Sequence, residues 1–528
     1  MQHNAVRARI VASLLCLLAL TAACTTSTTS SNPKATLNVL AGSELKDLAP
    51  VLADFEKSTG DAVAMHYVGS LQGAEQIVNG DSSDVAWFSS GRYLSLLQGT
   101  RQRILAQQQI MLSPVVLGVK HSTAMRLGWV DNPNLTWRDI ADRSRARDFR
   151  FAMTNPAASN SGFVALVGVA QAFSATPDAL QAGDINTAAL KDFFAGQALT
   201  AGSSGFLADS YTRQQDRLDG IINYESVLLS MNASGSLHEP LDLVYPKEGI
   251  ITADYPVMLL RPNRRAVYDR LVAYLRKPDV QRRIMTSTGR RPAIPDVKPD
   301  SRFPNRVLIE LAFPSSLDVV NRLLASYLNQ IRPPSHTVFV LDTSGSMSGS
   351  RLDSLKRALL NLAGADTTIS GRFAGFHNRE SITMVLFSSS VYNRRSFQLS
   401  DTGDNSGELQ DIRSFVNGLQ AGGGTAIYDA LEAAYQIAGS ARARQPDDYY
   451  SIVLMTDGEN NQGRSAGTFL SDYRGWPAAW RTIPTFPVLF GEGNPKELHQ
   501  IADTTGGTVF DGLHADLSAV FKDIRGYQ

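Results

Sequence analysis

The sequence predicts an α/β protein made of two successive bodies with mostly parallel, doubly wound sheets. Three observations predict this. Short apolar, β-branched runs such as 337–341 (TVFVL) and 452–455 (IVLM) have the character of strands buried on both faces, as in parallel sheets. These runs alternate with segments of helical period, the order that winds helices onto both faces of one sheet. The alternation is broken at Arg332-Pro333-Pro334-Ser335, where two prolines end a helix and divide the bodies.

In the N-terminal body, 37–40 (LNVL) reads as a strand ending in Ala41-Gly42-Ser43-Glu44-Leu45, with a helix following through Phe55. A second strand over 62–68 ends at Gly69-Ser70, before a helix over 71–78. A third, 84–88 (DVAWF), ends at Ser89-Ser90. The same grammar returns at 149–153, leading to Thr154-Asn155-Pro156. There Ser159-Asn160-Ser161-Gly162 opens an apolar helix over 163–173, and 219–223 (DGIIN) leads into Tyr224-Glu225-Ser226. Serines at successive strand ends turn hydroxyls and helix N-terminal N–H groups into one crevice, an arrangement suited to anions. Each such Ser reads equally well as a helix cap.

The opening (AGSEL, DLAPVLADFEKSTG, VGSLQGA), the crossover-like 113–119 (SPVVLGV) and 245–249 (YPKEG) resemble type II periplasmic solute-binding proteins, the two-lobed receptors of ABC importers. The resemblance covers about residues 36–300. It implies a small-solute cleft between the lobes near Ser43, Ser70, Ser89, Ser161 and Glu225. The Ser and N–H content fits an oxyanion-like solute, since no Arg clamp for a carboxylate stands out.

Residues 301–335 connect the bodies. The run 317–331 (LDVVNRLLASYLNQI) is apolar at 317, 320, 324, 328 and 331, which predicts a helix with one buried face, packed on the N-terminal body. The domain hinge is expected at the two prolines.

The C-terminal body, 336–528, opens with the strand 337–341 and the loop Asp342-Thr343-Ser344-Gly345-Ser346. A helix over 351–362, a strand over 381–387, a helix over 426–439, the strand 452–455, a late strand within 482–491, a short β segment at 507–510 and a last helix near 517–524 come after it. Loops at the carboxyl ends of parallel strands meet at one edge of the sheet. That brings Asp342, Ser344 and Ser346 together with Gly424-Thr425 and Thr456-Asp457-Gly458. All the donors are oxygen, a set that suits Mg²⁺, Mn²⁺ or Ca²⁺ and poorly suits zinc or copper. A polar turn capping a helix through Ser346 or Ser348 explains the first segment but not the other two.

Asp-x-Ser-x-Ser with a distant Thr and a distant Asp resembles the metal-ion-dependent adhesion site of von Willebrand factor A domains. Carried over residue by residue, the resemblance implies a divalent cation, Mg²⁺ before Mn²⁺ or Ca²⁺, at Asp342, Ser344, Ser346, Thr425 and Asp457. One coordination position would stay open for an Asp or Glu carboxylate of a protein partner.

Arg7 and Arg9, the apolar run 10–20 and the small residues to Cys24 form a secretory signal too short to span a bilayer. Cys24 after Ala22-Ala23 resembles a bacterial lipobox, although Thr21 stands where Leu is commoner. Residues 1–23 are then the cleaved signal, Cys24 the lipidated first residue and 24–35 a Ser/Thr-rich tether, with the protein facing outward from a membrane in the cell envelope. Extended, 25–35 reaches on the order of 35 Å. The only other cysteine, Cys16, lies in the signal, so no disulfide and no thiolate zinc site is expected.

Composition sets limits. Lys plus Arg and Asp plus Glu number 50 each, and removing 1–23 leaves 48 against 50, which gives no footprint for nucleic acid. There is no phosphate loop, no His-Glu-x-x-His and no Cys pair. Gly463-Arg464-Ser465-Ala466-Gly467 matches a nucleophile-elbow pattern, with Asp472 and His499 downstream, but it comes after a polar loop instead of a strand. The expectation is therefore a lipid-anchored binding protein without enzyme activity. A receptor for an ABC importer with a docking module is the alternative, and a surface hydrolase at Ser465 the third reading.

Overall fold

The structure, a computed structural model, describes residues 34–528 apart from 101, 177, 305–306, 401 and 403–405. The signal segment, Cys24 and the tether through residue 33 lie outside the described residues.

Three sheets organise the chain. The first runs β2-β1-β3-β11-β4 and holds β1 (Ala35–Gly42), β2 (Asp61–Val68), β3 (Val85–Trp87), β4 (Ala106–Gln109) and β11 (Pro256–Leu259). Strands β1, β2 and β3 are parallel, and β11 enters antiparallel between β3 and β4. The second is centred on the crossover strand β5 (Met111–Lys120), flanked by β8 (Gly220–Tyr224) and β10 (Thr252–Ala253). Strand β6 (Phe151–Thr154) lies between β8 and β7 (Gln197–Ala201), while β9 (Leu241–Val244) and β12 (Arg291–Pro292) also pair with β5. The first and second sheets are the cores of two lobes.

The third sheet runs β15-β14-β13-β16-β17-β18, with β13 (Ser335–Asp342), β14 (Glu380–Phe387), β15 (Val391–Leu399), β16 (Tyr449–Thr456), β17 (Thr485–Leu489) and β18 (Phe510–Asp511). All are parallel save the edge strand β15. The period of two puts Phe339, Leu341, Val453 and Met455 in one apolar layer, and Val338, Val340, Ile452 and Leu454 in the opposite one. That double burial is why these runs are apolar at every position. Strand β15 has no counterpart in the sequence reading, because 391–396 (VYNRRS) is largely solvent-facing and carries no apolar run. The short β segment near 507–510 is also reduced, pairing only Phe510 and Asp511 with β17.

Eight helices position the sites and the contacts between the bodies. In the N-terminal body these are α1 (Ser70–Val78), α2 (Asn160–Ala172), α3 (Ser204–Gln214) and α4 (Leu317–Ser326); in the C-terminal body they are α5 (Ser350–Leu360), α6 (Ile369–Ala374), α7 (Ile427–Arg444) and α8 (Leu517–Arg525). Helix α4 continues through Tyr327–Ile331 and buries Val320, Leu324, Leu328 and Ile331 in the core of the N-terminal body. The two bodies also meet directly, beyond the Pro333-Pro334 link. Tyr527 after α8 packs edge-on to Phe206 at 4.9 Å, and the Tyr449 hydroxyl donates to the Gln197 carbonyl at 3.2 Å.

At the base of the third sheet, fully buried Glu380 accepts from Arg525 Nη2 through both carboxylate oxygens (2.6 and 2.8 Å) and from the guanidinium of Arg332. His377 lies beside this group, its Nε2 bonded to the Phe373 carbonyl at 3.1 Å. Burial pushes its imidazole down to about 4; Glu380 opposes the shift, and Arg332 and Arg525 add to it. A folded pKa below the unfolded value of about 6.5 means the unfolded chain takes up the proton first as pH falls. Stability is therefore lost between about pH 6.5 and 4. In urea unfolding of the C-terminal body, His377→Gln should lose about 2 kcal/mol less than the parent between pH 7 and 4.5. Equal losses would show that another group governs this range.

Candidate functional sites

Parallel pairing aligns Leu341 with Met455, so Asp342 ends β13 beside Thr456 and one residue short of Asp457. The Asp342 carboxylate accepts the Ser344 N–H at 2.7 Å through one oxygen and the Thr456 hydroxyl at 2.6 Å through the other. Ser344 and Ser346 hydroxyls stand 3.0 Å apart, and Ser346 donates to Asp457 at 2.8 Å. The middle loop is tied to the first by Gly345 N–H on the Gly423 carbonyl (2.9 Å) and Gly422 N–H on that of Thr343 (2.8 Å). It is tied to the third by the Asn461 side-chain oxygen, which accepts the Thr425 N–H at 2.8 Å. A Cβ built on Gly458 would lie 3.8 Å from both Ser346 Oγ and Thr425 Oγ1, so the two hydroxyls converge on one point.

The structure thus brings all five of the sequence-derived oxygen donors together at the solvent end of the sheet. Asp342, Ser344, Thr425 and Asp457 are buried, and Ser346 is exposed at the rim. Neither Ser346 nor Ser348 caps α5, whose N-cap is Gly349. Burial raises the Asp342 carboxyl; bonds from Thr456 and Ser344 oppose this, and the nearby Asp457 charge adds to it. Two carboxylates in one crevice favour a cation between them. Arg351, from the first turn of α5, places Nη1 2.6 Å from Asp457 and reaches Glu492 at 3.3 Å. Hard oxygen donors alone, with a charge demand met only in part by one guanidinium, fit a divalent ion such as Mg²⁺ held by Asp342, Ser344, Ser346, Thr425 and Asp457. Arg351 and Asn461 have no place in the sequence reading. An Arg five residues past Ser346, on the first helical turn after the loop, is the signal that could have found the former.

In the N-terminal body the five proposed cleft residues separate. Ser43 lines a cavity of about 480 Å³ between the lobes. Ser70 is buried as the first residue of α1, beside Gly69 on the cavity wall. Ser89 accepts the Tyr224 hydroxyl at 2.9 Å, and Asn160 donates to that same hydroxyl at 3.1 Å, a chain of bonds that joins the lobes. Ser161 sits in a buried hydroxyl cluster with Thr154 (2.9 Å) and Ser204 (2.8 Å). Glu225 is fully buried, gripped by two nitrogens of Arg291 at 2.7 Å each and by the Tyr245 hydroxyl. Glu44, next to Ser43, has one carboxylate oxygen buried without a hydrogen-bond partner, and burial raises its pKa against the opposing bonds and the Arg290 charge. Of the polar groups on the cavity wall, Lys46 and Asp523 have no ion pair among the described residues.

Ser465, the elbow serine, caps the helix Ala466–Gly475 by accepting the Thr468 N–H at 3.2 Å, and Asp472 is ion-paired to Arg464 at 2.7 Å. Neither Asp472 nor His499 bonds to Ser465. Among the described residues no helix is long and apolar enough to cross a membrane.

Residues 37–291 match the family of bacterial extracellular solute-binding proteins, and residues 337–520 match the von Willebrand factor type A domain. Inter-alpha-trypsin inhibitor heavy chain H3 of Pongo abelii is 33% identical over 135 residues, which are 25% of this chain and 14% of that protein. The chain thus spans about a seventh of the length of that curated relative. The solved periplasmic binding protein AfuA from Actinobacillus pleuropneumoniae aligns at a TM-score of 0.44 and 15% identity, covering 56% of this chain and 99% of that one. A von Willebrand factor type A structure from Catenulispora acidiphila aligns at 0.28 and 20% identity, covering 37% of this chain and 42% of that one.

The geometry of Glu225 yields a prediction. Glu225→Gln leaves the half-enclosed Arg291 guanidinium without a counter-charge and should destabilise the N-terminal body by roughly 3 kcal/mol, whatever solute is present. An unchanged melting temperature would assign Glu225 to the ligand instead of the scaffold.

Proposed function

We propose that this chain, a bacterial solute-binding domain joined to a von Willebrand factor A domain, is an exported, lipid-anchored binding protein whose A domain captures a protein partner through a divalent cation. The convergence of Ser344, Ser346, Thr425 and two buried carboxylates at one solvent-facing edge carries this reading. The cation, when bound, neutralises a carboxylate offered by the partner. The chain's own residues prepare for it: Thr456 and the Ser344 N–H fix the Asp342 carboxylate, and Asn461 fixes the Thr425 backbone. Arg351 holds the charge of Asp457 until a metal takes over that role. Cys24 is the proposed anchor, and the solute-binding domain is the part nearer the membrane.

A second reading, a receptor delivering a small oxyanion-like solute to an ABC importer, is favoured by the cavity of about 480 Å³, a size that suits a small ligand. The capping role of Ser465 gives the hydrolase reading no support.

Titration calorimetry of Mg²⁺ and Mn²⁺ into the protein lacking residues 1–33 tests the metal site. One binding event is expected, lost in Asp342→Ala. Capture of a partner from envelope extract should then be abolished by a chelator. Retention of full binding by Asp342→Ala would refute the site.

Arg351→Ala gives an independent check. Removing a cation that competes for Asp457 should tighten Mg²⁺ binding by roughly three- to tenfold while lowering the melting temperature of the metal-free protein. Weaker binding in this variant would mean that Arg351 positions the site instead of competing for it.

A further inference from the structure

The cavity beside Ser43 has three walls. Ser43, Lys46 and Gly69 come from the first lobe, Asn155 and Ser203 from the second, and Ser370, Asp523 and Tyr527 from the A domain. Two separate sets of contacts fasten the A domain across the opening. On the first lobe, the Glu75 carboxylate of α1 accepts the N–H groups of Ile369 and Ser370 at 3.0 Å each, so a residue of one body caps a helix of the other. On the second lobe, Tyr527 lies so close to Gly202 that a Cβ there would stand 2.3 Å from its ring, and Gly526 abuts Ala158. Asn155 also donates to the Arg525 carbonyl at 3.4 Å. Away from this cavity, the Ser89–Tyr224–Asn160 bonds tie the lobes to each other.

We propose that the A domain is the lid of the solute cavity. A small polar solute would be held between Lys46 of the first lobe, Ser203 of the second and Asp523 of the A domain, and would exchange with solvent only when the A domain undocks. Opening the lobes by a hinge separates the Glu75 contact from the Tyr527 contact, and a rigid A domain cannot follow both. Asp523 suits the role: it lines the cavity and has no ion pair among the described residues, so at neutral pH its carboxylate offers a solute an acceptor.

The lid is testable without a solute, and the solute reading supplies only the cavity's contents. Amide hydrogen exchange of the full chain is compared between the parent and Glu75→Gln. The lid predicts faster exchange, by fivefold or more, at 369–371 together with 155–159 and 202–206 on the opposite lobe. A Cβ on Gly526 would lie 2.7 Å from that of Ala158, so a shift of about 1 Å would allow a disulfide. The pair Ala158→Cys and Gly526→Cys should therefore cross-link on mild oxidation, and the cross-link should cancel the exchange gain at 202–206 caused by Glu75→Gln. A gain confined to 369–371, or failure of the pair to cross-link in a folded protein, would overturn the lid. Neither measurement involves metal, so the metal-site reading stands or falls separately.

Discussion

The arrangement depends on one buried carboxylate. Glu380 begins β14 at the base of the A-domain sheet and is shared by Arg332, from the connecting segment, and Arg525, from the last turn of α8. Burial alone would raise its pKa, but the charges of Arg525 and Arg332 outweigh this and hold it below the ordinary carboxylate range. Such a group contributes little net stability when complete, yet costs about 3–5 kcal/mol when one partner is removed. Its geometric consequence is larger. It fixes the link between the bodies, the sheet and the last helix at one point, and so sets where residues 525–527 meet the solute cleft.

That placement explains why the open space lies where it does. In a two-lobed receptor the strand-end loops face one another, and polar groups there must bond either to a ligand or to each other. Here many of them bond to each other. Tyr224, Asn160 and Ser89 bridge the lobes, Ser161 and Ser204 satisfy one another, and Arg291 takes Glu225. The polar surface that lines open space lies outward, at Ser43, Lys46 and the helix-capping Ser203, where the A domain covers it.

These same contacts mark the limit of what the sequence disclosed. Both α/β bodies could be read because buried parallel strands must be apolar throughout, and Asp342, Ser344, Ser346 and Asp457 because parallel strands end at a common edge; Thr425, in the loop between the helix 407–417 and α7, could be read only through the motif. Edge strand β15 could not, since a strand exposed on one face and largely polar looks like loop. Ser43, Ser70 and Ser89 follow the ends of β1, β2 and β3, while Ser161 is the second residue of α2, and a serine at such a turn does not say what its hydroxyl meets. Glu225 finds Arg291 66 residues away, and Glu75 finds α6 294 residues away. Partners at such separations leave no periodic trace. Arg351 is the intermediate case, since its distance from Ser346 was visible but the direction of its side chain was not.

The two ends of the A-domain sheet have different tasks. The proposed metal donors Asp342, Ser344, Ser346 and Asp457 sit at the carboxyl ends of β13 and β16, with Thr425 beside them, whereas Glu380 and Tyr449, at the first residues of β14 and β16, lie toward the solute-binding domain. Eight residues of β13 at about 3.3 Å each separate these edges by roughly 25 Å. A partner at the proposed metal edge would therefore not compete for space with the docked lobes. On the proposed reading, a pull on that partner opposed by a tether on the N-terminal domain would pass down β13 into the Pro333-Pro334 link, and the docking face would bear the part that turns the A domain about this link. The sheet resists with a continuous parallel ladder from β14 to β17, and the link is held by the buried Arg332–Glu380 pair, while the contacts around the cavity are one carboxylate on two amides, one aromatic cluster and a few polar bonds, with the Arg147–Asp447 ion pair elsewhere on the docking face. A load that turns the A domain about the link would act first on the contacts around the cavity, because they are few and lack the buried ion pairs of the Glu380 anchor.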